Sequence, residues 1–252
     1  MAEVTIRLEA PEPRALALDP AHTAVVVVDV ENEFCSEGGK RYMGERGEAI
    51  LRPLAGLLDR ARAAGVPVIY VHSVREPDNP EFTVFNVEEH LIRGSWGAEY
   101  CDAIAPQPGE PVVDKECHDC LNHTKLETVL ARLGVRPCGH TVIVTGVALG
   151  VCVSHAVLGF SVRDYWVAVP MDCVAAKTEE QEIVAYQPML HSAYAYNVAI
   201  TRSDLIEFRP GIGTGFGQAA TAGAFCPKCG TRAAGDSRFC ASCGASLPTI
   251  AG

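Results

Sequence analysis

Four consecutive valines, Val25–Val28, followed by Asp29, constrain the fold more than any other part of the sequence. A short apolar run without polar–apolar alternation is typical of a strand that is buried on both faces. Such strands belong to parallel sheets, because helices cover both sides of a parallel sheet. The run therefore predicts a parallel strand with Asp29 near its carboxyl end.

Five further apolar segments are predicted to be strands, with helical segments between them. The predicted strands are Val66–His72, Val112–Asp114, Thr141–Thr145, Trp166–Pro170 and Val198–Thr201. The predicted helices are Glu48–Ala64, Leu121–Leu133, Gly150–Arg163 and Glu179–Tyr194. Strands that alternate with helices of this length indicate βαβ units. The sequence therefore predicts an α/β protein with three α/β/α layers and a mostly parallel, six-stranded, Rossmann-like sheet.

The carboxyl ends of parallel strands meet at one edge of a sheet, where α/β proteins place their sites. This edge is predicted to collect Asp29, Lys115 and Cys152. Cys152 stands where a helix is expected to begin, and a helix N-terminus lowers the pKa of a thiol. A carboxylate base and a cation are the help that a thiol needs to attack an amide carbonyl. We therefore expect a cysteine nucleophile at this edge.

Three segments, in this order, resemble the isochorismatase-like cysteine hydrolase family. They are Asp29-Val-Glu-Asn-Glu-Phe34 with Gly38-Gly39, Lys115 after Val-Val-Asp, and Thr145-Gly-Val-Ala-Leu-Gly-Val-Cys152-Val. The resemblance covers about residues 15–205. It implies a catalytic triad of Asp29, Lys115 and Cys152. It also implies a cis peptide between Val147 and Ala148, with the amides of Ala148 and Cys152 directed at an oxyanion.

The stretch Arg93-Gly-Ser-Trp96-Gly is similar to the branch of the family that hydrolyses ureidoacrylate and N-carbamoyl compounds. This resemblance implies an amidohydrolase that cleaves a C–N bond of a small amide, ureido or carbamoyl compound. A thioester on Cys152 would be the intermediate, and ammonia or an amine the product. Four residues are predicted to line the pocket: Asn32, Phe34, Trp96 and His118.

Departures from the family leave alternatives open. Nicotinamidase-like members hold a catalytic metal through an Asp-x-His motif, which is absent after His72, but a metal-assisted amidase using His72 is an alternative. A second metal site within Cys117–His123 is another. Glu31 stands where the family commonly has Gln, and Leu149-Gly150 replaces a polar pair. His155 is expected to be a core histidine and not the partner of Cys152.

Two CxxC knuckles stand near the carboxyl end, Cys226 with Cys229 and Cys240 with Cys243. Four thiolates bind zinc tetrahedrally and leave no open position, so we expect structural Zn²⁺ here and no catalytic cofactor. The tail resembles short zinc-ribbon modules, and two disulfides are the alternative. A segment of this size gains its folding energy from the metal.

A glycine-rich segment, residues 211–224, separates the two parts of the sequence. It is predicted to be a linker between a hydrolase domain at residues 1–210 and the zinc ribbon at residues 225–252.

Charge and cysteine usage bound the partners and the compartment. A net charge of -10 argues against a nucleic-acid-binding surface. We expect no membrane span, since no run of about 18 apolar residues exists. The start of the sequence lacks a signal pattern, and the cysteines outside the knuckles form no disulfide framework, which favours the cytoplasm. The resemblance implies a homo-oligomer, a dimer or tetramer, acting on a small-molecule substrate. A zinc-ribbon interaction protein with a catalytically silent hydrolase domain is the alternative from another class.

Overall fold

The computed structural model describes residues 8–191 and 196–216 of the chain. The strands are β1 (Leu16–Leu18), β2 (Thr23–Val28), β3 (Val68–Ser73), β4 (Val112–Lys115), β5 (Thr141–Val147), β6 (Trp166–Pro170), β7 (Val174–Ala175), β8 (Val198–Thr201) and β9 (Ile206–Phe208). The α-helices are α1 (Asn32–Cys35), α2 (Glu45–Ala49), α3 (Leu51–Ala63), α4 (Pro80–Thr83), α5 (Leu126–Arg132), α6 (Ser154–Ser161) and α7 (Glu179–His191).

A seven-stranded parallel sheet forms the centre of this region. Its strand order is β4-β3-β2-β5-β6-β8, and β7 pairs with the end of β5. All six predicted strands occur in it. The register aligns Ser73 with Lys115 and Val28 with Gly146, so the carboxyl ends of four neighbouring strands lie at one edge. The predicted α/β/α architecture is confirmed.

The valine run supplies both cores of the molecule. Val26 and Val28 pack with residues of α5, α6 and α7 on one face of the sheet. Val25 and Val27 pack with residues of α3 on the other face. All four valines are completely buried. Because successive side chains of a strand point to opposite faces, an apolar run without alternation fills both cores.

Several predicted helices differ in their bounds from the observed ones. The predicted helix Glu48–Ala64 is divided at Ile50 into α2 and α3. Pro53 has no N–H to donate to the carbonyl of Ala49, so a hydrogen bond that would join α2 to α3 across Ile50 is missing. The predicted helix Leu121–Leu133 begins only at Leu126, because His123 has a φ of +55°, which a right-handed helix does not accommodate.

Three short strands were not predicted. β7 has two residues, and β1 pairs with β9 in a separate parallel sheet whose partners are far apart in sequence.

The predicted helix Gly150–Arg163 is also different at its start. It begins as one wide turn of π-helix, Leu149–Val153, and continues as α6.

The chain divides into two compact units, Met1–Gly217 and Gln218–Gly252, and the described residues belong to the first. The start of the predicted linker has specific contacts within that unit. The N–H groups of Gly211 and Gly213 donate to Asp19, and the Phe216 ring lies 5.0 Å from that of Trp166. The rest of the linker and the zinc ribbon lie outside the described residues. Among the described helices, none is long and apolar enough to cross a membrane.

Candidate active site

Strand ends bring the three predicted catalytic residues to one place. Asp29 follows β2 directly, Lys115 is the last residue of β4, and Cys152 lies in the π-helical turn between β5 and α6. Gly146 makes this arrangement possible. Its φ is +106°, and a Cβ atom there would collide with the carbonyl oxygen of Val28. Only glycine lets β5 approach β2 this closely just before the nucleophile loop.

A buried ion pair joins Asp29 and Lys115. Lys115 Nζ lies 2.9 Å from Asp29 Oδ2, and the two side chains are 0% and 1% exposed. The ammonium group also donates to the carbonyl of Cys117 at 2.9 Å and to Ser73 Oγ at 3.4 Å. Burial lowers the pKa of Lys115, but Asp29 and Cys152 outweigh burial and raise it. The lysine is therefore a permanent cation at neutral pH.

Cys152 completes the group, with Sγ 3.5 Å from Lys115 Nζ. The residue is 7% exposed. Burial raises the pKa of the thiol, and so does the neighbouring Asp29, while Lys115 lowers it by less. The sequence-based expectation of a lowered pKa is wrong for this state, because burial and a carboxylate outweigh the cation and the helix end. The thiol holds its proton until a base removes it.

The peptide bond between Val147 and Ala148 is cis, at the end of β5. The carbonyl of Ala148 then accepts N–H groups from Val151 and Val153, which fixes the turn around Cys152. The resemblance to the family implies that the oxyanion-binding amides lie in this segment, which leads directly to Cys152.

Glu31 is completely buried beside the ion pair. Its Oε1 accepts the backbone N–H of Ser73 at 2.7 Å, and its Oε2 has no hydrogen-bond partner among the described atoms. Burial raises the pKa of Glu31 well above its usual value, and the neighbouring carboxylate of Asp29 raises it further. The neutral acid is therefore favoured, and it has the same shape as the glutamine common in the family.

His118 is the predicted pocket residue that directly contacts Cys152. Its Nδ1 lies 3.6 Å from Cys152 Sγ. Burial lowers the pKa of the imidazole, and Lys115 lowers it further. The structure therefore places a neutral imidazole against the thiol.

The other predicted pocket residues have different surroundings. Trp96 is 49% exposed. Asn32 donates from Nδ2 to the carbonyl of Trp96 at 3.1 Å and accepts from Ser36 Oγ at 2.8 Å, so its amide holds the loop in place. Phe34 packs against the apolar core on the α3 face of the sheet. The described contacts connect His118, but not these three residues, to the thiol.

His72 was an alternative metal ligand and His155 a predicted core histidine, and the structure gives both residues other surroundings. His72 contacts Asp114 Oδ1 at 3.0 Å through Nδ1 and the carbonyl of Ala98 at 2.7 Å through Nε2. His155 is exposed and contacts the carbonyl of Val151, so the expectation of a core histidine is wrong. Within residues 8–191 and 196–216, no group of three His, Cys, Asp or Glu side chains is arranged to hold a metal ion, and this includes Cys117–His123.

Sequence reasoning missed the residues that support Asp29, Lys115 and Cys152. Arg75 is 1% exposed and pairs with Glu81 through Nε and Nη2, at 3.1 and 3.2 Å. Its Nη1 donates to Ser73 Oγ at 3.2 Å and to the carbonyl of Lys115 at 3.4 Å. The six-residue separation of Arg75 and Glu81 matches neither helix nor strand spacing. The identity of Arg75 as a buried arginine is therefore not readable from a local pattern.

A comparison of the sequence with family models identifies the family. A sequence model of the isochorismatase domain matches residues 23–201. The chain belongs to the isochorismatase family. The matched range contains Asp29, Lys115 and Cys152, so the resemblance found in the motifs is confirmed.

Relatives with stated activities or structures add to this. Ureidoacrylate amidohydrolase RutB of Methylobacterium radiotolerans is 30% identical over 185 residues, covering 64% of this chain and 69% of that protein. N-carbamoylsarcosine amidase from Thermoplasma acidophilum is 29% identical with a TM-score of 0.61, covering 72% of this chain and 96% of that one. A cysteine hydrolase from Pseudomonas syringae pv. phaseolicola is 27% identical with a TM-score of 0.66, covering 77% and 95%.

A second model, of a zinc-ribbon domain, matches residues 225–247. All four cysteines of the CxxC knuckles lie in this range, which is outside the described residues. The resemblance of the tail to a zinc ribbon is thereby confirmed.

Proposed function

We propose that this protein is an amidohydrolase in which Cys152 attacks the carbonyl of a small amide, ureido or carbamoyl compound. The chain is a hydrolase of carbon–nitrogen bonds other than peptide bonds. The observation that carries the proposal is the contact of one buried ammonium group, Lys115 Nζ, with both Asp29 at 2.9 Å and Cys152 at 3.5 Å. A base, a cation and a thiol within hydrogen-bond reach are the parts of an activated nucleophile.

The first half of the reaction forms the thioester. Asp29 takes the thiol proton as Cys152 Sγ bonds to the carbonyl carbon, and Lys115 balances the charge. The backbone amides of Ala148 and Cys152 stabilise the oxyanion. Asp29 then gives its proton to the leaving nitrogen as the C–N bond breaks, which releases ammonia or an amine. Because the pKa of the thiol is raised, proton removal and attack occur together.

The proposed substrate class is supported by the relatives. The names of two relatives state that they act on ureidoacrylate and on N-carbamoylsarcosine, which are both ureido compounds. We therefore place ureido and carbamoyl acids first in the substrate range of this chain, with simple amides second.

An ammonia-release screen over ureido acids, carbamoyl amino acids and primary amides tests the proposal. We expect turnover in the wild type and a loss of about 10⁴-fold or more in Cys152→Ala, because the covalent route is removed. Cys138→Ser is the matched control, since Cys138 is an exposed free thiol before β5, at the opposite end of that strand. Wild-type turnover in Cys152→Ala would contradict the mechanism.

We also propose that the tail binds one structural Zn²⁺ through Cys226, Cys229, Cys240 and Cys243. Four thiolates in two CxxC pairs suit the tetrahedral preference of zinc and leave no position for substrate. The purified chain should contain one equivalent of zinc, and a variant that ends at Gly217 should contain none. Ending at Gly217 keeps the contacts of Gly211, Gly213 and Phe216. Retained zinc in the shortened chain would overturn the assignment.

The assembly of the chain into a homo-oligomer and its localisation in the cytoplasm remain predictions. The same shortened chain also tests whether the tail supports the assembly, by light scattering and by KM. If the mass of the assembly and KM are both unchanged in the shortened chain, the tail supports neither assembly nor catalysis.

A further inference from the structure

His118 contacts the nucleophile from outside the buried ion pair. Its Nδ1 lies 3.6 Å from Cys152 Sγ, and the residue as a whole is exposed to solvent. Asp29 and Lys115, the other partners of the thiol, are 1% and 0% exposed in their side chains. Of these three partners of the thiol, His118 is therefore the one that solvent reaches.

We propose that His118 is a catalytic residue of the second half-reaction, the general base for the water that hydrolyses the thioester and the acid that reprotonates Cys152. The proposal rests on the proposed function, because it requires an acyl group on Cys152. It assigns the two half-reactions to two different bases, with Asp29 serving acylation and His118 serving deacylation.

The proton balance closes within the site. His118 Nδ1 takes a proton from water as the water oxygen bonds to the acyl carbon. The bond from that carbon to Cys152 Sγ then breaks, and the electron pair stays on sulfur. The imidazolium gives its Nδ1 proton to the thiolate 3.6 Å away, which restores the neutral imidazole and the thiol. Product acid leaves with the oxygen of the water, and no other reactant is needed.

The charges around the imidazole suit this role. The groups that face it are Lys115 from β4, Arg75 and Glu81 beyond β3, and His155 from α6. Partial desolvation of the imidazole beside Cys152 lowers the pKa of His118, the cations Lys115 and Arg75 and the neighbouring His155 lower it further, and Glu81 opposes them. The ring is therefore unprotonated at neutral pH, as a base must be, and its conjugate acid gives up a proton readily.

His155 provides a matched comparison. Its ring centre lies 6.4 Å from that of His118. Its Nδ1 contacts the carbonyl of Val151 at 2.7 Å, so it contacts the backbone of the π-helical turn before α6 and not the thiol. A substitution at His155 changes the same neighbourhood without removing the contact with sulfur.

The experiment uses 4-nitrophenyl acetate as the probe, with the full chain and its tail intact. Release of nitrophenolate reports acylation of Cys152, and the later steady rate reports deacylation. In His118→Gln we expect a burst of one equivalent, followed by a steady rate about 100-fold slower than that of the wild type. Mass spectrometry should find an acetyl group on Cys152 in this variant during turnover. His155→Gln should behave as the wild type does.

Two further readouts separate a proton-transfer role from a packing role. In His118→Gly, added imidazole should restore the steady rate, because the exposed position admits a small base. In the wild type, the deacylation rate should fall at acid pH as His118 is protonated, and this acid limb should be absent from His118→Gln.

The outcomes distinguish the two proposals. A wild type without nitrophenolate release above that of Cys152→Ala overturns the cysteine mechanism. A normal wild type together with a steady rate in His118→Gln within twofold of it overturns the role of His118. Equal losses of burst and steady rate, or a slow His118→Gly that imidazole does not accelerate, also overturn that role and leave the cysteine mechanism in place.

Discussion

Asp29 and Lys115 lie on the enclosed side of the Cys152 thiol, whereas His118 lies on its open side. The enclosed pair comes from the ends of β2 and β4, and its side chains are 1% and 0% exposed. His118 belongs to the loop between β4 and α5 and is exposed. Trp96 stands on another loop, is 49% exposed and is connected to α1 through Asn32.

The difference separates two tasks that one catalytic site must perform. A charge that is fixed by burial and hydrogen bonds keeps a stable value, and it costs little reorganisation when charge develops on the substrate. Exchange with substrate and water requires groups that solvent can reach. Under the proposed function, the enclosed side therefore sets the state of the thiol, and substrate and water are expected on the side of His118.

The largest expected effect comes from breaking the enclosed pair. In Lys115→Met the carboxylate of Asp29 stays buried without its cation, so the free energy of unfolding should fall by about 3–5 kcal/mol. Hydrolysis should be lost as well, because the pKa of the thiol rises further without the ammonium. Urea unfolding followed by circular dichroism measures the first effect and an ammonia assay the second.

The matched control removes a cation from the surface. Arg209 pairs with Glu207 at 2.7 Å, but both side chains are more than half exposed. Arg209→Met should leave unfolding and turnover at wild-type levels, since exposed pairs contribute little. If Lys115→Met is as stable as Arg209→Met, the buried pair does not have the role assigned to it here.

The placement of the residues on the enclosed side could be predicted from the sequence. Val25–Val28 can only be a strand buried on both faces, and this places Asp29 at its end. Lys115 and Cys152 come after the predicted strands Val112–Asp114 and Thr141–Thr145. The carboxyl ends of parallel strands share one edge of the sheet, so both residues are expected near Asp29. Ser73 was missed for a simple reason: the predicted strand stopped at His72, and the contacts of Ser73 with Glu31 and Lys115 join three separate segments.

The open side depends on contacts that no local pattern contains. The loop that carries His118 is shaped by the positive φ of His123 and by Leu121, which is buried against Gly159 of α6. Both features replace the helix that apolar spacing predicted for this segment. The contact of His118 with Cys152 could therefore be read only from the tertiary structure, and its place in a substrate pocket remains a prediction.

An intermediate effect is expected at Glu31, which is buried but not paired with a cation. Because its pKa is raised in the folded protein, folding favours the protonated acid. The folded state therefore loses stability as the pH rises above the usual value of 4.5. Glu31→Gln removes this titration. Its free energy of unfolding should exceed that of the wild type by about 1 kcal/mol at pH 8, and the two should converge near pH 4.

A pH series of urea unfolding curves tests this expectation, with turnover followed in parallel. Glu31→Gln should keep its activity, because the amide has the shape of the neutral acid and its oxygen still accepts the N–H of Ser73. Glu207→Gln is the control, since that carboxylate is exposed and close to Arg209. A Glu31→Gln variant that is less stable than the wild type at pH 8 would show that the carboxylate is favoured.

The smallest effect on stability is expected on the open side, at Trp96. Asn32 holds this residue through its backbone carbonyl, so Trp96→Ala keeps the 3.1 Å hydrogen bond and should change the free energy of unfolding by less than about 0.5 kcal/mol. If Trp96 lines the pocket as the sequence predicts, loss of its aromatic surface should instead raise KM about tenfold and leave kcat within about twofold, as for a uniform binding contact. Val162→Ala, at an exposed apolar residue beyond α6, is the control. A fall in kcat with unchanged KM would move Trp96 from substrate binding to the support of the triad, and the enclosed and open sides would then share one task.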